Sequence, residues 1–287
     1  MVLAPCGPAA GAAGAAAVPR SDVAVPFIED APLIDGVLDE RAWQAAAVLD
    51  GFVQTRPGDN TPPSRPTSVL VAYDARALYV GVRAIDDPHA VRATRARRDD
   101  VLQDDHVRLF LDTFHDRRRA YLLAFNPLGV QQDGIWTEGA DPDYSFDIVM
   151  ESRGKVTGSG YEIEVRIPFR SLRYAAGEQR SWGLHVQRYI KHANDEEDSW
   201  RPLVRGHASF LGQAGALRGL GRIAPERSLE LIPAFVASGF GRRVDTRAAS
   251  GDASRRFVHD PVSWAPSLTA RLNLSSRLVV DATVNPD

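Results

Sequence analysis

The sequence predicts an all-β chain: an antiparallel β-sandwich followed by the first strands of a truncated β-barrel. Three observations carry that prediction. Runs of six to nine residues alternate apolar and polar side chains, separated by Gly, Pro and Asp clusters. Helical periodicity is scarce, and no repeat, heptad or alternating βαβ pattern is present. The chain ends directly after a hairpin, which needs more sheet to be stable and so points to further strands.

Residues 1–28 read as the remnant of an export signal or as a disordered leader. Small residues at Ala15-Ala16-Ala17 suit a cleavage site, but a basic start and a leucine-rich centre are missing. Cys6, the single cysteine, excludes a disulfide framework, a thiolate zinc site and a CxxC redox pair. No run of 18 apolar residues occurs, which excludes a membrane-spanning helix.

Residues 29–224 are assigned to the sandwich. The one helix is predicted at 39–47 (DERAWQAAA), capped by Asp39 with Trp43 facing inward. Strands are predicted at 68–73 and 77–85, joined by Asp74-Ala75-Arg76. In the second, Leu78, Val80, Val82 and Ala84 share one face; Tyr79, Gly81 and Arg83 share the other. Further strands are predicted at 106–113, 119–126, 145–151, 161–168 and 182–190. Tyr161, Ile163, Val165 and Ile167 face a core, while Glu162, Glu164 and Arg166 face solvent or a partner sheet. Residues 225–287 are assigned to the start of the barrel. There Leu268, Ala270, Leu272 and Leu274 alternate with polar side chains, as do Leu278, Val280, Ala282 and Val284 after the turn at Ser275-Ser276.

Composition narrows the function. Hydrophobic residues make up 44% and charged residues 25%, which excludes a globally disordered chain. The net charge is −3, from 34 basic and 37 acidic residues, and gives no support to nucleic-acid binding through a bulk basic field.

The segments APLIDGVLDERAW, SVLVAYDARALYVGVRAIDD, DDHVRLFLDT, GYEIEVRIPFRSL and WGLHVQR occur in that order. Together they resemble the family 9 carbohydrate-binding module over about residues 31–222. LDTFHDRRRAYLLAFNPLGVQQDG and the terminal TVNPD are similar to bacterial proteins that join such a domain to a predicted outer-membrane β-barrel. The resemblance implies a non-catalytic carbohydrate-binding domain, exported to the periplasm or outer membrane. Its partners would be a poly- or oligosaccharide and the chain's own C-terminal barrel. A structural or plug module without sugar binding is the alternative, and an accessory part of a glycoside hydrolase is a second.

Sugar recognition needs flat aromatic surfaces and polar groups that bond the hydroxyls. Trp136 (DGIWTEGADPDY) and Trp200 (NDEEDSWRP) are expected in polar loops and are the aromatic candidates; Arg98, in RATRARRDD, and Asp133 are the polar ones. The resemblance implies two loop tryptophans clamping a terminal sugar, Trp200 standing near the second. The first belongs between Asp87 and Asp104, an interval without Trp, Tyr or Phe here. Trp43 and Trp182 are expected in the core, and Trp264 suits a barrel interface.

The family also implies structural calcium, for which Asp104 and Asp105, directly before a strand, are the candidate ligands. The histidines lack zinc-site spacing. Glu162 and Glu164 have Cα atoms about 7 Å apart by strand rise, a spacing that glycosidase carboxyls permit. They read more simply as the outward face of a half-buried strand. No nucleophile-elbow, P-loop or dinucleotide motif is present.

Overall fold

The computed structural model describes residues 22–285 apart from positions 96, 176, 178, 179, 225–227, 248–252 and 276–277. Most of the leader, with Cys6 and Ala15-Ala16-Ala17, lies outside the described residues, as do the last two residues of TVNPD. The chain divides into two compact units, Met1–Ile223 and Ala224–Asp287. No helix among the described residues is long and apolar enough to cross a membrane.

The first unit contains β1 (Asp22–Ala24), α1 (Arg41–Ala45), β2 (Ala47–Leu49), β3 (Val53–Arg56), β4 (Thr67–Tyr73), β5 (Ala77–Ile85) and β6 (His106–Asp112). It continues with β7 (Arg119–Phe125), β8 (Gln131–Thr137), β9 (Glu151–Thr157), β10 (Gly160–Pro168), β11 (Ser181–Ile190), β12 (Glu196–Ser199) and β13 (Gly215–Arg218). One sheet runs β2-β4-β5-β10-β9. The other runs β1-β13-β11-β6-β7-β8, with β12 added to β11 and β3 to β12. Strand β11 holds two partners along one edge, β13 on 181–184 and β12 on 187–190. All pairings are antiparallel except β1 with β13.

Period-two alternation explains the core. Val80, Val82, Ile163 and Val165 project from one sheet and meet Leu109, Leu123, Phe125 and Val186 from the other, all 2% exposed or less. Each such burial contributes about 1.5–3 kcal/mol.

The back of the five-stranded sheet is covered by the segment carrying α1. Leu38 and Trp43 lie over Gly81, where a Cβ would come within 2.6 Å of Leu38 Cδ2 and 3.1 Å of the Trp43 ring. A side chain there would make Leu38 turn aside and Trp43 give by a few tenths of an ångström, so glycine allows the closest packing of this segment. Glu164, expected to face solvent or a sheet, is instead buried under this segment.

Four expectations are corrected. The chain pairs into the sheet from β1 at Asp22, within the stretch assigned to the leader, because β13 offers it an open parallel edge. The helix spans only Arg41–Ala45, and Asp39 does not cap it, since Glu40 occupies the cap position without a side-chain bond. Residues 145–150 are not strand; the pairing begins at Glu151, where β10 offers a partner. Strands β8 and β12 were read as polar loop, because their hydrogen bonds come from distant neighbours and their side chains from polar residues.

The second unit contains β14 (Ser228–Ser238), β15 (Gly241–Arg247), β16 (Ala253–His259), β17 (Ser263–Ser275) and β18 (Leu278–Val284). They form a sheet ordered β14-β17-β18 and a separate β15-β16 pair. No closed barrel is formed among the described residues. In the larger sheet, Leu231, Phe235, Trp264, Leu268, Ala270, Val280 and Val284 share one face. Ser238, Ser263, Thr269, Arg271, Asp281 and Thr283 share the other with Ile232, Ala234, Val236 and Ala265.

Candidate functional site

The outer face of the eight-stranded sheet is aromatic and polar. Alternation places His106, Arg108 and Phe110 of β6 beside His185, Gln187 and Tyr189 of β11, with Trp136 on β8. His106 stacks on Tyr189 with ring centroids 4.5 Å apart, and the Arg108 guanidinium lies 4.4 Å from the Tyr189 ring. Burial pushes His106 and His185 each down to about 3, so both are neutral.

The segment 200–214 crosses this face. Phe210 packs on Phe110 at 4.9 Å, Trp136 at 5.6 Å and His185 at 4.6 Å. Glu138 pins the crossing by accepting the amides of Phe210 at 2.7 Å and Leu211 at 3.0 Å. Between this segment, β3 and β12 lies a cleft of about 620 Å³, lined by Arg56, Asp59, Glu138, Glu197, Leu203, Arg205, His207 and Phe210 among others. Its polar groups hold one another. Glu197 Oε1 accepts from Gln187 Nε2 at 2.5 Å, and Glu197 Oε2 lies 3.7 Å from Arg56 Nε. Arg205 Nε lies 3.3 Å from Asp59, and its Nη2 donates to Gly58 O at 2.6 Å. Such mutual fixing preorganises a polar rim around the Phe210 ring.

The expected site residues do not converge. Trp136 lies in a strand rather than a loop and stands behind Phe210 with its Nε1 buried and unpartnered. Trp200 projects to the opposite face of the same sheet. It is 6% exposed within the main core, so it is a packing residue with no flat face open to a sugar. Arg98 and Asp133 are brought together, Nη2 to Oδ1 at 2.6 Å, but away from both tryptophans' packing. Asp133 points inward and also accepts the Ile148 amide. Burial pushes its carboxyl up, against that amide and Arg98. Arg98 lines a second concavity of about 330 Å³ with Gly129 and Arg153. Phe210, Glu197, Arg56 and Arg205 were not singled out from sequence. Their only signal was an aromatic residue inside an otherwise polar stretch.

The calcium expectation meets carboxylates largely committed to protein donors. Asp104 Oδ2 accepts from the Thr94 amide, the Thr94 hydroxyl and Asn126 Nδ2 at 2.8–2.9 Å. Asp105 accepts the amides of Arg92 at 2.9 Å and Lys191 at 2.6 Å. The cluster that Asp105 does join contains Asp86 and His192, with the Arg188 guanidinium 2.7 Å from Asp86. Calcium takes six to eight oxygens. Asp104 and Asp105 therefore do not fit it.

Glu164 and Glu162 are likewise committed. Glu164 accepts from the amides of Asp35 and Gly36 and from Trp43 Nε1, and Glu162 from the Leu38 amide and Arg83.

Among known proteins, the family described as carbohydrate family 9 binding domain-like matches residues 34–204. No curated protein matches the chain. Among solved structures, a family 9 carbohydrate-binding module from Caldicellulosiruptor kristjanssonii in complex with cellotriose aligns with TM-score 0.51 and 16% identity, over 69% of this chain and 93% of that one. The same source's family 9 module in complex with glucose aligns with TM-score 0.50 and 16% identity, over 69% and 95%. A candidate carbohydrate-binding protein from Bacteroides uniformis aligns with TM-score 0.54 and 14% identity, over 69% and 98%. At these identities the likeness is one of fold.

Proposed function

Since the chain belongs to the carbohydrate family 9 binding domain-like family, we propose that its sandwich is a non-catalytic glycan-binding domain with its ligand in the cleft beside Phe210. The observation that carries this reading is the cleft's composition. An aromatic ring held by three neighbours is rimmed by Arg56, Glu197, Asp59 and Arg205, which are already oriented to bond hydroxyls. Their charges are paired, which suits a neutral sugar. The cellotriose and glucose held by the similar modules support the same class. The commitment of Glu162 and Glu164 to structural bonds supports binding without covalent chemistry.

We further propose that the chain is exported and that its second unit begins an outer-membrane barrel. The support is the sheet β14-β17-β18, which has one uniformly apolar face and a second face where Thr269, Arg271, Asp281 and Thr283 stand among Ile232, Ala234, Val236 and Ala265; an apolar face toward lipid is what a barrel wall requires. Phe235 and Trp264 are 63% and 62% exposed and pack at 5.2 Å, as an interfacial aromatic pair does.

Isothermal titration of the chain with glucose, cello-oligosaccharides and a wider glycan panel tests the binding role. Binding that weakens in Phe210→Ala and Arg56→Ala supports the cleft; binding untouched by both overturns it. The plug reading draws on the burial of Trp200, and absence of binding to every glycan would favour it.

A further inference from the structure

A guanidinium fills an oxygen cage between the two sheets. Arg188 follows Val186 on the inner face of β11 and is 0% exposed, at a position where alternation would place an apolar side chain. Its Nη2 donates to the Asp86 carboxylate at 2.7 Å and to Ile85 O at 3.1 Å. Its Nη1 donates to the Thr67 hydroxyl at 3.0 Å and to Pro66 O at 3.3 Å. One carboxylate, one hydroxyl and two carbonyls are oxygen ligands of the type that hard cations take, and they make four of the six to eight that calcium needs, water supplying the rest. The accepting oxygens lie at the start of β4 and the end of β5, so the side chain ties the five-stranded sheet to β11. The other Asp86 oxygen faces His192 Nε2 at 3.1 Å and Arg65 Nε at 3.6 Å, so every group facing this carboxylate belongs to the protein.

We propose that Arg188 is an internal cation, which neutralises Asp86 and tethers the strands as a bound divalent ion would, so that the sandwich folds without calcium. A guanidinium suits the task because it is permanently charged and its planar fork reaches several oxygens at fixed angles. It also explains why the neighbouring carboxylates Asp104 and Asp105 are turned to protein donors: no ion needs them. Deleting the side chain removes the nearest and only fully buried cation from Asp86 and leaves the half-exposed Arg65 at 3.6 Å as its remaining guanidinium, a costly loss for a buried carboxylate. The emptied cage is then a latent site for a hard cation.

Thermal unfolding of the full chain in calcium chloride and in EDTA tests this. The unsubstituted protein unfolds at the same temperature in both. Arg188→Ala unfolds lower in EDTA and recovers by about 3 °C or more in calcium, and Asp86→Asn added to Arg188→Ala abolishes that recovery. Arg188→Lys, which keeps a point charge, shows no calcium response. A calcium-dependent transition in the unsubstituted protein overturns the proposal. So does an Arg188→Ala protein that behaves alike in both solutions, whether folded or unfolded.

Discussion

The Trp43 indole N–H donates to the Glu164 carboxylate at 2.7 Å, joining α1 to the back of β10 across 121 residues of chain. The second carboxylate oxygen takes the amides of Asp35 and Gly36. Burial raises the Glu164 pKa, and these three donors oppose the rise. Glu164→Gln turns an amide N–H₂ toward groups that themselves donate. It is expected to cost about 1–3 kcal/mol in urea unfolding, with glycan affinity unchanged. A variant that keeps its stability and loses binding would return Glu164 to the candidate site residues.

The two aromatic residues at 200 and 210 are expected to separate stability from binding. Trp200→Ala removes a core side chain and costs about 3–5 kcal/mol, read as a fall in the unfolding midpoint. Phe210→Ala opens the cleft and weakens glycan binding about tenfold, or 1.4 kcal/mol, read by titration calorimetry. A larger affinity loss from Trp200→Ala at a temperature where it remains folded would reverse the assignment.

Asp198 and His185 pull the pH dependence in opposite directions. Asp198 is fully buried on β12, and burial together with Glu196 pushes its carboxyl from 3.8 up to about 7. A raised folded pKa contributes stability that is full below the unfolded value and is lost as pH rises through about 7. Asp198→Asn should therefore gain progressively on the unsubstituted protein between about pH 4 and pH 7 and hold that gain above it. His185 is depressed from 6.5 to about 3, by burial first and Arg201 second. Its contribution is full above 6.5 and is lost as pH falls toward 3, so His185→Phe should gain as the solution is acidified. Parallel profiles for all three proteins would contradict both assignments.

The two faces of the β14-β17-β18 sheet should differ toward lipid. Leu268→Arg, on the apolar face, is expected to cost about 2–4 kcal/mol of membrane insertion if it lies at mid-depth. Thr269→Arg, on the mixed face beside Arg271 and Thr283, should cost less. Flotation of the chain with phospholipid vesicles measures the difference, and equal effects at both positions would remove the support for a barrel wall.

Much of the sandwich was legible because period-two alternation is a local property. The core faces of β5 and β10 could be read directly from residues 77–85 and 161–168, since burial there follows from one neighbour in two. Strands β8 and β12 were not legible. QQDGIWT and EEDS carry polar side chains on both faces, and their strand character comes from partners elsewhere in the chain. The candidate site suffered the same way. Trp200 follows a polar stretch and looks like a loop aromatic, yet its amide bonds to Val186 O and the register turns its ring into the core.

Sequence by itself determined the all-β class, the inward faces of the central strands, the exclusion of a disulfide framework, a thiolate zinc site and a CxxC pair, and the order of motifs that marks the family. These follow from residue type and spacing along the chain. Tertiary structure alone decided which polar groups meet. Arg188 reaches Asp86 across 102 residues, and Glu138 holds Phe210 across 72. Such contacts depend on strand register and sheet order, and a side chain's partner across a sheet leaves no trace in the residues beside it. For the same reason Asp104 and Asp105 read as an open metal pair in sequence and are closed by Thr94, Asn126, Arg92 and Lys191 in the fold.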